Sequence, residues 1–378
     1  MRIPLIVLVG LAVFAPAASA QIPYYPTRSE WATRAPRDAG MDSLALAAAV
    51  AFAQQHENRF LRDLDSQLVL NTAREPYPAI EGPVRDRGGP AGLIIRHGYI
   101  VAQWGDVERV DMTFSVAKSY VSTIAGLAFD RGMIRDIHDP VSPYVRDDGY
   151  TSPHNAVITW HQMLNQTNEW EGTLWGKPDV ADRRRGRDRT LQASGTFYEY
   201  NDVRVNRTAY NLLQVWRRPL PEVLKELVMD PIGASDTWEW HGYSTSWTEM
   251  DGRRVQSVSG GGHWGGGVWA STLDHARFGL LFLRRGLWGN TRLLSEAWIT
   301  MATTPTDIMP TYGYMWWLNP EQRMYSNAPA TAFFARGAGG NIIWVDPEHD
   351  LVVVTRWLDD RSVNEFIGLV LTATSAGR

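Results

Sequence analysis

Ser115 and Lys118 stand three residues apart in the run Met112-Thr113-Phe114-Ser115-Val116-Ala117-Lys118-Ser119-Tyr120. On a helix that spacing puts both side chains on one face, within hydrogen-bond reach of each other. A serine hydroxyl is almost wholly protonated at neutral pH and needs a neighbouring base before it attacks a carbonyl. An amine serves if burial lowers its pKa from about 10.4 toward neutrality, and the apolar neighbours Phe114, Val116 and Ala117 are expected to supply that desolvation. The chain holds 37 lysines and arginines, of which only Lys118, Lys177 and Lys225 are lysines. Taken alone, the commoner meaning of Ser-x-x-Lys is a helix start capped by Ser115 beside a solvated Lys118.

The pattern of apolar residues supplies elements to position the pair. Residues 41–64 have an Ala/Leu-rich helical period. The short β-type runs 91–95 and 99–104 flank Arg96-His97-Gly98 and read as a hairpin. Residues 114–131 then take helical spacing, with Val116, Tyr120, Ile124, Leu127 and Ala128 on one stripe and Gly132 placed to end it. From 139 to 254 helical segments (160–164, 207–216, 222–229) alternate with polar loops, with little strand signal. Strands return at 312–318, 341–345 and 351–356, and a helix over 363–374 closes the chain. This order predicts an α/β protein of the α+β type. An antiparallel sheet (residues 21–119 and 256–378) is covered by the two terminal helices, and a mostly helical subdomain (120–255) is inserted. The cleft between them is the default active site.

Composition narrows the chemistry. The 378 residues are 44% hydrophobic and 21% charged, ample for a buried core. The absence of cysteine removes disulfides, thiolate nucleophiles and thiolate metal sites. A net charge of −4 gives no reason to expect nucleic acid or an anionic membrane as partner. Residues 1–20 read as a signal peptide, with an apolar run and Ala18-Ser19-Ala20 before Gln21, so export to the periplasm or medium and no membrane span in the mature chain are expected. Neither a zinc-binding His-Glu-x-x-His, a phosphate loop nor a Gly-x-Ser-x-Gly elbow is present, and no cofactor or metal is expected. The run Asp182-Arg183-Arg184-Arg185-Gly186-Arg187-Asp188-Arg189 reads as a solvated loop, with a role at the substrate's edge as the secondary reading.

Several segments in order resemble the serine β-lactamase-like family of penicillin-recognising hydrolases, especially its class C-related esterase and 6-aminohexanoate-oligomer hydrolase branches. Residues 112–120 are similar to the nucleophile motif. Met163-Leu164-Asn165-Gln166-Thr167-Asn168 is similar to its helix end, residues 195–202 to the segment holding Tyr-x-Asn, and Gly265-Gly266-Gly267 to its glycine-rich turn. The resemblance implies Ser115 as nucleophile, Lys118 as base and Tyr200 as catalytic tyrosine, with Tyr198 the rival if the register slips by two. A phenol beside a cation is suited to relaying a proton.

Two departures stand out. The third position of Tyr-x-Asn is Asp202, a charge in place of an amide. The third motif is Ala335-Arg336-Gly337, lacking its first cation, which in the family seats a substrate carboxylate. Arg336 is expected to face solvent or else to replace that cation. The resemblance places the oxyanion hole at the amides of Ser115 and Ala338. Asp202, Arg336, Gly337, Trp170, Trp175, His263 and Trp264 are candidate substrate contacts, with Trp317 also near the cleft. Trp216, Trp298 and Trp357 are expected to be packing residues. The expected function is hydrolysis of a small carboxylic ester or linear amide through an acyl-enzyme, with neutral substrates favoured because Ala335 replaces the cation. The alternatives are a β-lactamase or D,D-peptidase, and a silent binding protein of the same fold.

Overall fold

The computed structural model describes residues 23–376; the expected signal peptide lies outside them. Along the chain run α1 (Ser43–Gln55), α2 (Leu64–Thr72), β1 (Ala91–Arg96), β2 (Tyr99–Trp104), β3 (Asp111–Met112), α3 (Ala117–Asp130) and α4 (Asp202–Trp216). They are followed by β4 (Glu239–Met250), β5 (Arg253–Val258), β6 (Gly267–Ala270), α5 (Thr272–Leu283), β7 (Trp317–Leu318), β8 (Phe333–Gly337), β9 (Asn341–Asp346), β10 (Leu351–Arg356) and α6 (Val363–Ala376).

The main sheet has six strands in the order β7-β8-β9-β10-β1-β2, antiparallel throughout. Side chains alternate across a strand, so each strand feeds two cores. Ile94, Ile342, Trp344 and Val353 pack with Leu46, Ala49, Phe366 and Val370 of the terminal helices α1 and α6. Leu93, Ile95, Ile343, Val352 and Val354 turn the other way into a larger core with Tyr120, Ile124 and Phe278 of α3 and α5. The same core takes in Trp160, Leu212 and Val223, so the sheet and the middle of the chain share one apolar interior.

Two elements differ from the expected ones. The helix anticipated over 41–64 ends at Gln55, and a second begins only at Leu64; each is started by an aspartate whose carboxylate accepts a backbone N–H, Asp42 from Ala45 at 2.7 Å and Asp63 from Ser66 at 3.1 Å. Between them the carbonyls of Asn58, Phe60 and Leu61 accept from the guanidinium of buried Arg87 instead of from a helical turn. The middle of the chain is also less helical than expected. β4 and β5 pair antiparallel and join β6 and β3 in a four-stranded sheet, order β3-β6-β4-β5. β4 is amphipathic but rich in Ser, Thr and Glu, with Trp240 and Tyr243 inward, and this polarity concealed it.

Candidate active site

Ser115 lies in a single 3₁₀ turn, Phe114–Val116, that runs straight into α3. Phe114 holds φ at +49°, a left-handed conformation that costs a bulky residue about 1–3 kcal/mol. Its ring is fixed edge-on against Phe60 and Trp357, 6.2 and 6.3 Å between centroids. That packing holds the sharp entry into the helix and leaves Ser115 half-buried at the wall of a cleft of about 820 Å³. The end of β8 closes on the same turn: a Cβ on Gly337 would overlap the Thr113 carbonyl oxygen, so a side chain there would push the strand off the serine.

Lys118 Nζ lies 2.9 Å from Ser115 Oγ and 2.6 Å from Asp202 Oδ1. Both members of the ion pair are sealed, with side chains 1% and 2% exposed. Burial alone would push the amine down. The Asp202 carboxylate, with the Tyr200 phenol, outweighs burial and holds Lys118 above the ordinary lysine value. This corrects the expectation of a lysine lowered by apolar neighbours. Burial likewise pushes the Asp202 carboxyl up, but Lys118, His263 and Arg184 more than reverse it and hold Asp202 below the usual carboxylate range. Its second oxygen accepts from the His263 N–H at 3.2 Å. Gly261 covers the pair, and a Cβ there would overlap both Asp202 Oδ2 and Lys118 Nζ. Asp202 therefore binds the lysine rather than waiting as a free substrate contact.

Tyr200 is the tyrosine beside the pair. Lys118 Nζ sits 4.6 Å from its ring centroid and the Arg184 guanidinium 4.8 Å, and the ring stacks on Trp317 at 5.6 Å. Tyr198 lies deeper, packed edge-on to Tyr312, and burial holds its phenol well above the ordinary value. Two cations thus lie against the ring of this one tyrosine.

The arginine-rich run is exposed from Arg184 to Asp188, as expected of a solvated loop, and it also borders the cleft, which was the secondary reading: Arg183, Arg184, Arg185 and Arg187 all line it. Its anchor was not legible beforehand. Glu169, wholly buried, accepts from Arg189 at 2.6 and 2.7 Å and from Arg204 at 2.7 Å, and these cations hold its carboxyl down to about 2 against the cost of burial.

Glu75, on the stretch after α2, is another residue the sequence did not single out. Its carboxylate bonds His263 Nε2 at 2.7 Å and accepts from Trp264 Nε1 at 3.0 Å. Burial pushes the imidazole down, but Glu75, Asp182 and Asp202 outweigh it and hold His263 above its ordinary value. Gly337, Ala338 and Arg336 also line the cleft. Arg336 therefore borders the cleft rather than only solvent, 3.7 Å from Asp360 and over the Tyr325 ring at 5.4 Å. Ala338 lies where the β8 strand ends, and its carbonyl accepts from Asn341 Nδ2 at 2.7 Å.

The expected aromatic wall is mostly elsewhere. Trp170 is buried and donates to the Gly149 carbonyl at 2.8 Å, Trp175 packs edge-on to Tyr210 and Tyr243, and Trp264 is wholly buried under Lys177. Of the four tryptophans, Trp317 alone reaches the cleft. Indoles of this size were taken up by the core and by hydrogen bonds to carbonyls and Glu75. Among the described residues no cluster of three His, Asp or Glu could hold a metal ion, and no helix is long and apolar enough to cross a membrane.

The sequence model of the Beta-lactamase family matches residues 83–357. No curated protein matches the chain. Among solved structures, the chain is similar to a Bacillus anthracis protein assigned as a 6-aminohexanoate-dimer hydrolase (15% identity, TM-score 0.57, 76% of this chain and 79% of that one). It is also similar to a penicillin-binding protein homologue from Caulobacter crescentus (15%, 0.57, 83% and 98%). A family VIII carboxylesterase aligns as well (16%, 0.55, 76% and 93%). At these identities the structural likeness concerns the fold.

Proposed function

The chain belongs to the Beta-lactamase family, and from that premise we propose that it cleaves a carboxylic ester or linear amide through an acyl-enzyme on Ser115. The observation that carries this reading is the contact of Ser115 Oγ with Lys118 Nζ at 2.9 Å on the wall of an 820 Å³ cleft. Lys118 takes the serine proton once it has released its own, and Ser115 Oγ attacks the substrate carbonyl. The N–H groups of Ser115 and Ala338 receive the oxyanion, the first of them at the positive end of α3. Tyr200, flanked by Lys118 and Arg184, carries the proton to the departing alkoxide or amine, and water then releases the acid by the reverse steps. His263, Gly337 and Arg336 border the space the substrate fills.

The test is to profile the purified enzyme on p-nitrophenyl esters, linear amides and nitrocefin. Ester or amide turnover with a burst of released alcohol or amine, and loss of both in Ser115→Ala, supports the reading. Activity that survives in Ser115→Ala overturns it. Preferential turnover of nitrocefin would favour a β-lactamase.

A further inference from the structure

We propose that Arg185 and Arg187 form an anion-holding subsite at the edge of the catalytic cleft, so that the substrates preferred by the hydrolase carry a carboxylate or similar oxyanion away from the scissile bond. This inference rests on the serine-hydrolase reading and adds the substrate's charge to it.

The charges around the cleft pair off until two remain. Arg183 meets Asp179 at 2.5 Å, Arg184 meets Asp182 at 2.9 Å and Glu199 meets Arg189 at 3.0 Å. Asp202 is held by Lys118 at 2.6 Å, Glu75 by His263 at 2.7 Å, and Arg336 has Asp360 at 3.7 Å. Arg185 and Arg187 line the same cleft, and neither has a carboxylate within 4.0 Å among the described residues. The wall therefore carries two exposed positive charges with no ion-pair partner among the described residues; Asp188, next to Arg187 in the chain, is exposed and does not line the cleft. A cleft with an excess of one sign concentrates ligands of the other.

The backbone that presents these two side chains is fastened at several points. Arg183 Nη1 donates to the carbonyls of Arg187 and Arg189 at 3.2 Å each, the Arg184 N–H donates to Glu199 Oε1 at 3.0 Å, and Arg189 is clamped by Glu169. Gly186, at φ +107°, makes the turn between Arg185 and Arg187. The Arg185 guanidinium lies over the rings of Tyr198 and Phe197, 5.4 and 5.8 Å from their centroids, with its hydrogen-bonding edge free. A planar guanidinium held by an aromatic face offers a carboxylate two parallel N–H donors. The paired arginines thus build the loop, and the unpaired ones remain for a ligand. This restores to the cleft, from a different segment, the positive charge that Ala335 leaves out of the third motif.

Two series of esters test this. In one the charge is on the acyl side: mono-p-nitrophenyl esters of succinate, glutarate and adipate against p-nitrophenyl esters of neutral acids of equal length. In the other it is on the alcohol side: butyrate esters of 4-hydroxybenzoate against those of its methyl ester. Each series is run on the wild type and on Arg185→Ala/Arg187→Ala, so intrinsic differences in ester reactivity cancel. The anionic-to-neutral ratio of kcat/KM is expected to fall about ten- to hundredfold in the variant for one of the series, which also tells which side of the substrate meets the loop. Salt at 0.5 M should shrink the wild-type ratio in the same series. An unchanged ratio in both series overturns the subsite. Failure of the hydrolase reading itself would be seen separately, as absence of turnover of every ester and of fluorophosphonate labelling at Ser115.

Discussion

Lys118 Nζ stands between Asp202 Oδ1, at 2.6 Å, and Ser115 Oγ, at 2.9 Å, so the amine that must take a proton from the serine already holds one for the aspartate. A base acts when deprotonated, and Asp202 raises the pH at which Lys118 gives up its proton. Wild-type kcat/KM should therefore still be rising with pH on the alkaline side of neutrality. Asp202→Asn removes the main group that opposes burial, so the rising limb should move to lower pH by about one unit or more. A pH profile of kcat/KM for both proteins decides it, and a limb that stays in place would contradict the coupling.

Lys118→Arg keeps the charge and its attraction to Asp202 but removes the base, since a guanidinium does not deprotonate in this range. Turnover should drop by about a hundredfold or more. More than about a tenth of wild-type kcat would argue against the role.

Gly261→Ala puts a methyl group where Asp202 Oδ2 and Lys118 Nζ already lie. The variant should lose about 1–3 kcal/mol of stability and at least tenfold in kcat, as the pair is forced apart. Thermal unfolding and ester kinetics on one preparation measure both.

Glu169 is wholly buried and its carboxyl is held down to about 2 from an ordinary 4.5. A lowered carboxyl contributes stability that is present above its unfolded pKa and lost as pH falls through the folded one. The contribution, on the order of 3 kcal/mol, should disappear between about pH 4.5 and pH 2. Glu169→Gln should lose it at neutral pH and show a flatter acid limb of stability. Urea unfolding from pH 7 to about pH 2 checks this.

Much of the frame was legible because it depends on local pattern. The hairpin of β1 and β2, the two late strands β9 and β10, and α6 follow from apolar runs and turns, and Ser-x-x-Lys at a helix start is a local motif too. What stayed hidden depends on contacts between distant segments. Arg87 interrupts the first helix by taking carbonyls about 27 residues away. Glu75 reaches His263 across 188 positions, and Lys118 reaches Asp202 across 84. The charge run at 182–189 was visible, but its place on the cleft wall depends on Glu169 and Glu199, which nothing local marks as partners. The tryptophans misled in the opposite direction: proximity in sequence to site motifs did not expose Trp170 or Trp264, because their indoles were buried by packing and by their own hydrogen bonds.

Treatment with a fluorophosphonate, with the adduct located by peptide mass spectrometry, tests whether Ser115 is the nucleophile of an acyl-enzyme. One adduct is expected, on the peptide containing Ser115, with ester turnover lost in proportion to labelling and no adduct in Ser115→Ala. An adduct on another residue, or full turnover after stoichiometric labelling, would contradict it.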